Sequence, residues 1–295
     1  MTDPAATLLE PALPTTGPIA FQGTRGAYSD LACRTAFPGR DTLPCDTFAD
    51  AIAAVRDGRA ALGMLACENS LAGRVPDIHA LLPESGLHIV GEHFQRVEHC
   101  LLGVPGARIE QVRRLHTHPV AMSQVRGLIR ELALEPVIEF DTAGAAALVK
   151  QWNRPEDAAV ASELAAELHG LAVLRRNVED AAHNTTRFYV CARNAVVPPP
   201  ERGDCMTTIL FRVRNVPAAL YKALGGFATN NINMTRLESY MENGSFSATQ
   251  FMLDVDGHPA DRGLANALEE LGFFSDLVRV LGVYPRSVFR AGARA

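Results

Sequence analysis

Along the first two thirds of the chain, short apolar runs alternate with stretches of apolar residues at helical spacing. Ile19-Ala20-Phe21 reads as a buried strand, and Gly23 to Ser29 as a glycine-bounded turn opening a helix through Ala36. Phe48 to Arg56 has helical spacing with Gly58 closing it, and Ala60 to Leu65 is a buried strand that runs into the polar stretch Cys67 to Gly73. Leu87 to Gly91 is a strand, and Glu92 to Leu102 leads into a second lobe. There, strands at Leu115 to His118, Val137 to Phe140 and Ala158 to Ala161 alternate with helices. The helices cover Ala121 to Leu132, begin again at Thr142, and run from Ser162 to His169 with Gly170 as the stop. Such alternation predicts a mostly parallel sheet. The chain returns through Leu171 to Leu174 and Thr186 to Cys191, so the last strand rejoins the first lobe and leaves a hinged cleft.

Arg193 to Cys205, with Pro198-Pro199-Pro200 inside it, is a stiff polar stretch that marks a domain boundary. Beyond it come strand Thr207 to Arg214, helix Pro217 to Thr229 and strand Ile232 to Tyr240. A hairpin turn at Asn243-Gly244, strand Phe246 to Val255, helix Ala260 to Leu271 and strand Val278 to Val283 follow. The order βαββαβ defines a ferredoxin-like sandwich. The chain is therefore α/β: a loose tail over 1–17, a two-lobed domain over 18–194, a linker over 195–205 and a small sandwich over 206–288. Lobe one covers about 18–100 with 186–194, and lobe two about 101–185.

Composition narrows the ligand class. At 295 residues, 47% hydrophobic and 21% charged, the chain can bury two cores. A formal net charge of −5 leaves no basic footprint for nucleic acid, so small molecules are the expected ligands. The six cysteines contain no Cys-x-x-Cys pair and read as buried thiols in a reducing cytosol, with neither zinc nor a disulfide framework. Residues 1–17 lack the basic start and apolar core of a signal peptide, and no run approaches the roughly 18 apolar residues of a membrane span. A cytoplasmic protein without membrane attachment is expected. The turn at Gly23 and Gly26 lacks the third glycine of a dinucleotide fingerprint, so neither a cofactor nor a metal is expected.

Three polar clusters carry candidate chemistry. The turn through Gly26 and Ser29 aims backbone N–H groups and a helix N-terminus at an anion, although a plain tight turn has the same residues. Glu68, Asn69 and Ser70 stand at the carboxyl end of a strand, where α/β sheets bind ligands; a helix cap is the plainer reading. In His183 to Cys191, period-two alternation places Asn184, Thr186 and Phe188 on one face and Arg187 on the other. On its own this is a strand with an edge charge. His99 and Cys100 are sequence neighbours and would face opposite ways in a strand, so they are not a nucleophile and base.

Taken in order, these segments resemble prephenate dehydratase. Thr186-Arg187-Phe188 preceded by Asn184 is similar to that family's signature, and Glu68-Asn69-Ser70 with Gly73 to its second hallmark, where Ala66 replaces a common proline. Gly91-Glu92 and His99-Cys100-Leu101-Leu102 also match, as do Thr117-His118-Pro119, Gln124 and Ser162; Val120 and His169 replace a common glutamine and tyrosine. The resemblance runs from Ile19 to about Pro285. It implies a two-lobed, periplasmic-binding-protein-like catalytic domain that turns prephenate into phenylpyruvate, with Thr186 as hydroxyl donor and Arg187 as anion anchor. Asn184 and Phe188 complete the implied catalytic set, and Gly26, Ser29, Glu68, Asn69, Ser70, Gln124 and Ser162 hold the substrate.

The sandwich resembles the amino acid sensing ACT domain, which in this family binds phenylalanine at a subunit interface and inhibits. Ala218-Ala219-Leu220 stands where Gly-Ala-Leu is usual, and Glu238-Ser239-Tyr240-Met241 where Glu-Ser-Arg-Pro is usual. The resemblance implies that Ala218, Ala219, Leu220, Asn233, Glu238 and Ser239 meet the effector in a homodimer or homotetramer. Arogenate dehydratase and a non-catalytic amino-acid-binding regulator are the alternatives, the latter with no helix-turn-helix or basic stripe to supply an output.

Overall fold

The computed structural model describes residues 13–241 and 248–292, and these fall into two compact units. One comprises residues 16–78 and 93–188, the other residues 13–15, 79–92 and 189–292. The hairpin turn expected at Asn243-Gly244 lies outside the described residues, as does most of the expected loose tail. Thr16 and Gly17, at the end of that tail, have carbonyls that accept from Arg40 at 3.2 and 2.6 Å.

In the first unit, β1 (Ile19–Gln22) runs parallel to both β2 (Thr42–Cys45) and β3 (Leu62–Asn69), with Ile19 opposite Thr42 and Leu62. Helix α1 (Tyr28–Ala36) links β1 to β2, and α2 (Phe48–Arg56), capped by Thr47 on Asp50 N–H, links β2 to β3. β3 folds back as the short β4 (Gly73–Arg74), with helix α3 (Pro76–Leu81) next in the chain. The start of β11 (Thr185–Ala192) lies beside β3, where Ser70 N donates to Thr185 O at 2.9 Å.

The second lobe is a five-stranded sheet of order β10-β6-β9-β7-β8. Its strands are β6 (Cys100–Gly103), β7 (Arg114–Thr117), β8 (Glu135–Ile138), β9 (Asp157–Ala161) and β10 (Ala172–Arg175). Both faces of β9 are covered, Ala159 and Ala161 by one apolar cluster and Ala158 and Val160 by another, so its sequence is a continuous apolar run. The sheet is evenly mixed where a mostly parallel one was expected. β7 pairs in parallel with β8 and β9, but β6 is antiparallel to both β9 and β10. The chain enters and leaves the lobe through β6 and β10, and these crossover strands break the βαβ rhythm.

The helix expected over Ala121 to Leu132 is two helices, α4 (Pro119–Ser123) and α5 (Arg126–Leu132). Asp180 is the cause: its carboxylate accepts from the N–H groups of Arg126 and Gly127, both at 2.9 Å, and its own N–H donates to Gln124 O at 2.7 Å. A partner more than fifty residues away leaves no local trace. Helix α6 (Thr142–Trp152), capped by Asp141, and α7 (Glu163–His169), capped by Ser162 and stopped by Gly170, cover the sheet.

In the second unit the chain runs β12 (Cys205–Val213), α8 (Ala219–Thr229), β13 (Met234–Met241), β14 (Ala248–Asp256), α9 (Arg262–Phe274) and β15 (Ser275–Pro285). This is the βαββαβ order, folded as an antiparallel sheet β13-β14-β12-β15. Ile209, Phe211 and Leu253 on one face pack against Phe227, Leu264 and Leu271 of the helices. Pro217 does not open α8. Ala218 precedes the helix in the left-handed region at φ 62°, which turns the chain before the first helical residue.

The opposite face carries a buried polar cluster. Asp254 is fully buried and accepts from Thr208 Oγ1 at 2.7 Å and from Tyr189 OH at 3.1 Å. Arg236 donates to Tyr189 OH at 2.9 Å and its Nη2 lies 2.6 Å from His79 Nε2.

Candidate active site

A cavity of about 950 Å³ opens in the first unit between its two lobes. Its floor is built where strands end. Asn69 is the last residue of β3, Thr186 and Phe188 share one face of β11, and His99 lies on the crossover before β6. Gln124, in the break between α4 and α5, closes the floor from the second lobe.

The orientation of each floor amide follows from the backbone. Asn69 Oδ1 accepts the N–H groups of Leu71 at 3.0 Å and Ala72 at 2.9 Å, which fixes its Nδ2 as the donor side. That nitrogen donates to Asn184 Oδ1 at 2.8 Å and to Thr186 Oγ1 at 3.0 Å. Asn184 Nδ2 then donates to Gln124 Oε1 at 2.9 Å. His99 Nε2 lies 2.9 Å from the same oxygen, so it carries the proton. His99 Nδ1 faces Tyr28 OH at 2.8 Å. Burial holds the His99 imidazole below its ordinary value and pushes the Tyr28 phenol up, so both are neutral, and the phenol's single hydrogen is shared between Nδ1 and Glu98 O, the latter 2.9 Å from its oxygen. At the other end of the relay, Thr186 Oγ1 already accepts from Asn69, and its one hydroxyl hydrogen is left to point into the cavity.

Burial likewise depresses His118 and His169. None of the three imidazoles is charged near neutral pH, and below about 6.5 the unfolded chain takes up protons that the folded chain refuses. Stability is therefore expected to fall as pH drops through that value. Thermal melts of wild type and His99→Gln between about pH 7.5 and 5.5 check this; the variant should lose less, and an equal loss would remove His99 from the effect.

Several residues expected to touch substrate do other work. Arg187 points away from the cavity floor, as alternation from Thr186 requires; it is 2% exposed, donates to Glu68 Oε1 at 3.2 Å and lies over the Phe94 ring. Neither Arg187 nor Glu68 is part of the wall, so the anion anchor expected of Arg187 is not supplied there. Ser70 Oγ donates to His183 O and accepts from Thr185 N, both at 3.0 Å, which staples β3 to β11. Gly26 N–H donates to Asp30 at 2.9 Å and its carbonyl accepts from Ser162 Oγ at 2.6 Å. With φ at +88° and Ala165 Cα at 3.0 Å from where a Cβ would stand, Gly26 is a lobe-to-lobe contact, and Ser162 is both its partner and a helix cap. Asn184 is fully buried behind the floor. Ser29, Asn69, Gln124, Thr186 and Phe188 are in the wall.

Ser29 and Tyr28 open α1, whose N-terminus has no side-chain cap, so its first N–H groups suit a carboxylate. Among the described wall residues the carboxylates of Asp46, Asp77 and Glu139 accompany a single arginine, Arg74. Sequence reasoning missed Tyr28 and His99. Tyr28 stood inside the quoted glycine turn, and His99 was weighed only as a partner of Cys100.

The expected effector residues are spread over β13 and the start of α8. Register puts Ser239 opposite Phe251, on the helix side of the sheet, and Glu238 opposite Met252, on the side of Arg236. A ligand on one face meets only one of these side chains. Asn233 donates to Asp256 at 2.9 Å, Ala218 is exposed and Ala219 is buried, with Leu220 against the core.

Fold and site together define a two-lobed α/β enzyme with a ligand cleft at strand ends, followed in the chain by a βαββαβ unit. The family model for prephenate dehydratase matches residues 19–196. The bifunctional N-acyl-homoserine lactone acylase/prephenate dehydratase of Komagataeibacter europaeus is 71% identical over 92% of this chain and 97% of its own. The arogenate dehydratase/prephenate dehydratase 2 of Arabidopsis thaliana is 37% identical over 90% of this chain and 72% of its own. Among solved structures, the prephenate dehydratase of Arthrobacter aurescens in complex with L-Phe has a TM-score of 0.82 at 29% identity, covering 91% of this chain and 90% of that one. The chain belongs to the prephenate dehydratase family, whose members are lyases.

Proposed function

We propose that this chain converts prephenate to phenylpyruvate, carbon dioxide and water in phenylalanine biosynthesis, and that phenylalanine inhibits it through the βαββαβ unit acting as an ACT domain. The observation that carries the reading is the Thr186 hydroxyl, held by Asn69 so that its hydrogen faces the cavity. As the C–C bond to the ring carboxylate breaks, its electron pair enters the ring and expels the ring hydroxyl, which leaves as water after gaining one proton. Carbon dioxide departs without help. Hydroxide does not, and a well-placed donor contributes about 10² to 10⁴ in rate. Thr186 is a weak acid; its part is to hold the leaving oxygen with a preorganised dipole while the proton comes ultimately from solvent. The α1 N-terminus takes a carboxylate, and Gln124 fixes the pose.

The proposed catalytic domain covers 18–194, the linker 195–205 and the regulatory domain 206–288, in a cytoplasmic homodimer or homotetramer. Glu238 and Ser239 face opposite sides of β13, so within one copy an effector on either face meets only one of the two side chains. The experiment is initial rates on prephenate and on arogenate with phenylalanine titrated into each. A faster rate on prephenate, suppressed by phenylalanine, is expected. A preference for arogenate, whose ammonium group would suit Asp46, Asp77 or Glu139, would move the substrate assignment, and no turnover of either would remove it.

A second ligand class follows from the Komagataeibacter europaeus relative, whose name includes N-acyl-homoserine lactone acylase. We extend N-acyl amides to this cleft as ligands because its wall carries the exposed apolar side chains Val120, Ile138 and Phe140.

A further inference from the structure

The second-lobe wall of the cavity carries three large apolar side chains in the open: Val120 at 42% exposure, Ile138 at 56% and Phe140 at 83%. Scattered exposed apolar residues are ordinary, but these three share one wall with Pro119 and Ala121. Their backbone is fixed. Thr117 pairs with Ile138, Glu139 N–H donates to Thr117 O at 2.9 Å, and Asp141 caps α6 while accepting from Thr24 Oγ1 at 3.1 Å. Phe140, expected to lie inside a strand, instead stands between two anchored residues with its ring outward. The cavity is at the upper end of the range for drug-sized ligands, roomier than a compact dicarboxylate needs. The amides and hydroxyl of Asn69, Gln124 and Thr186 line the cavity together with this strip, where Glu139 between Ile138 and Phe140 is the polar exception.

We propose that Val120, Ile138 and Phe140 form an acyl-chain subsite, along which the hydrocarbon chain of an N-acyl amide lies while its amide and head group occupy the floor at Asn69, Gln124 and Thr186. The proposal rests on the second ligand class given above and includes no bond-breaking step. It makes affinity depend on chain length: each buried CH₂ multiplies affinity by roughly fourfold until the strip is covered.

The test is calorimetric titration of the full-length protein with N-acyl-homoserine lactones whose straight chains lengthen two carbons at a time. For wild type, affinity should climb with chain length and then level off. In Val120→Gln/Phe140→Ser the gain per CH₂ should fall below about twofold while the shortest ligand binds within about twofold of wild type. Ile138→Thr, a milder change, should give an intermediate slope, and thermal melts confirm that each variant is folded. No dependence on chain length in wild type, or equal slopes in all three proteins, would overturn the subsite. A variant with reduced prephenate turnover and an unchanged slope would also overturn it, making the rim a closure surface. The dehydratase reading fails separately, through absent phenylpyruvate formation, and leaves the slopes unaffected.

Discussion

Thr186→Ala is expected to lower kcat for phenylpyruvate formation by about 10² to 10⁴ while KM changes little. The hydroxyl that disappears is, with the Gln124 amide, one of the floor donors left to the cavity, since Asn69 Nδ2 occupies its oxygen at 3.0 Å. Only Cβ remains, but Asn69 keeps its bonds to Asn184, Leu71 and Ala72, so the pocket should hold its shape. Thr186→Ser restores the hydroxyl without the methyl that restricts its rotamer, and should recover most of the rate. Steady-state kinetics on the three proteins check this. A Thr186→Ala enzyme with wild-type kcat would take the hydroxyl out of the mechanism.

Asp254→Ala is expected to cost about 3–5 kcal/mol of stability, the loss typical of breaking a buried ion cluster from one side. Asp254 is fully buried and accepts from Tyr189 and Thr208, with Arg236 Nη1 3.9 Å away. Alanine would leave the buried guanidinium without one of its two neighbouring carboxylates, the other being Glu238 at 3.8 Å, and the two hydroxyl groups would lose their shared acceptor. Asp254→Asn keeps one acceptor oxygen and should lose less. Urea unfolding of the three proteins measures the difference; a loss under about 1 kcal/mol for Asp254→Ala would mean that the cluster is hydrated or rearranges easily.

Local rhythm made much of the fold legible. The apolar run at Ala158 to Ala161 marked a strand, which the structure buries on both faces, and the glycine at 170 marked a helix end. What stayed hidden was set by distant partners. Asp180 splits an apolar pattern that is helical throughout, and Ala218 adopts a left-handed conformation with no glycine to announce it. The site divides the same way. Alternation put Thr186 and Arg187 on opposite faces, yet the guanidinium's charge still suggested an anion anchor until Glu68 and Phe94 enclosed it. The pairing of Asn69 with Thr186, 117 residues apart, could be named only as two motifs. His99 was set aside because its neighbour Cys100 faces away, whereas its actual partners are Tyr28 and Gln124.

On the proposed mechanism Asn69 and Thr186 act as one device, the amide fixing the hydroxyl as a donor. Single-turnover rates on prephenate for Asn69→Ala, Thr186→Ala and the double variant read this coupling. Strong non-additivity is expected, with the double variant no slower than the slower single one by more than about threefold. Losses that multiply across the two sites would mean that the residues act independently, and would contradict it.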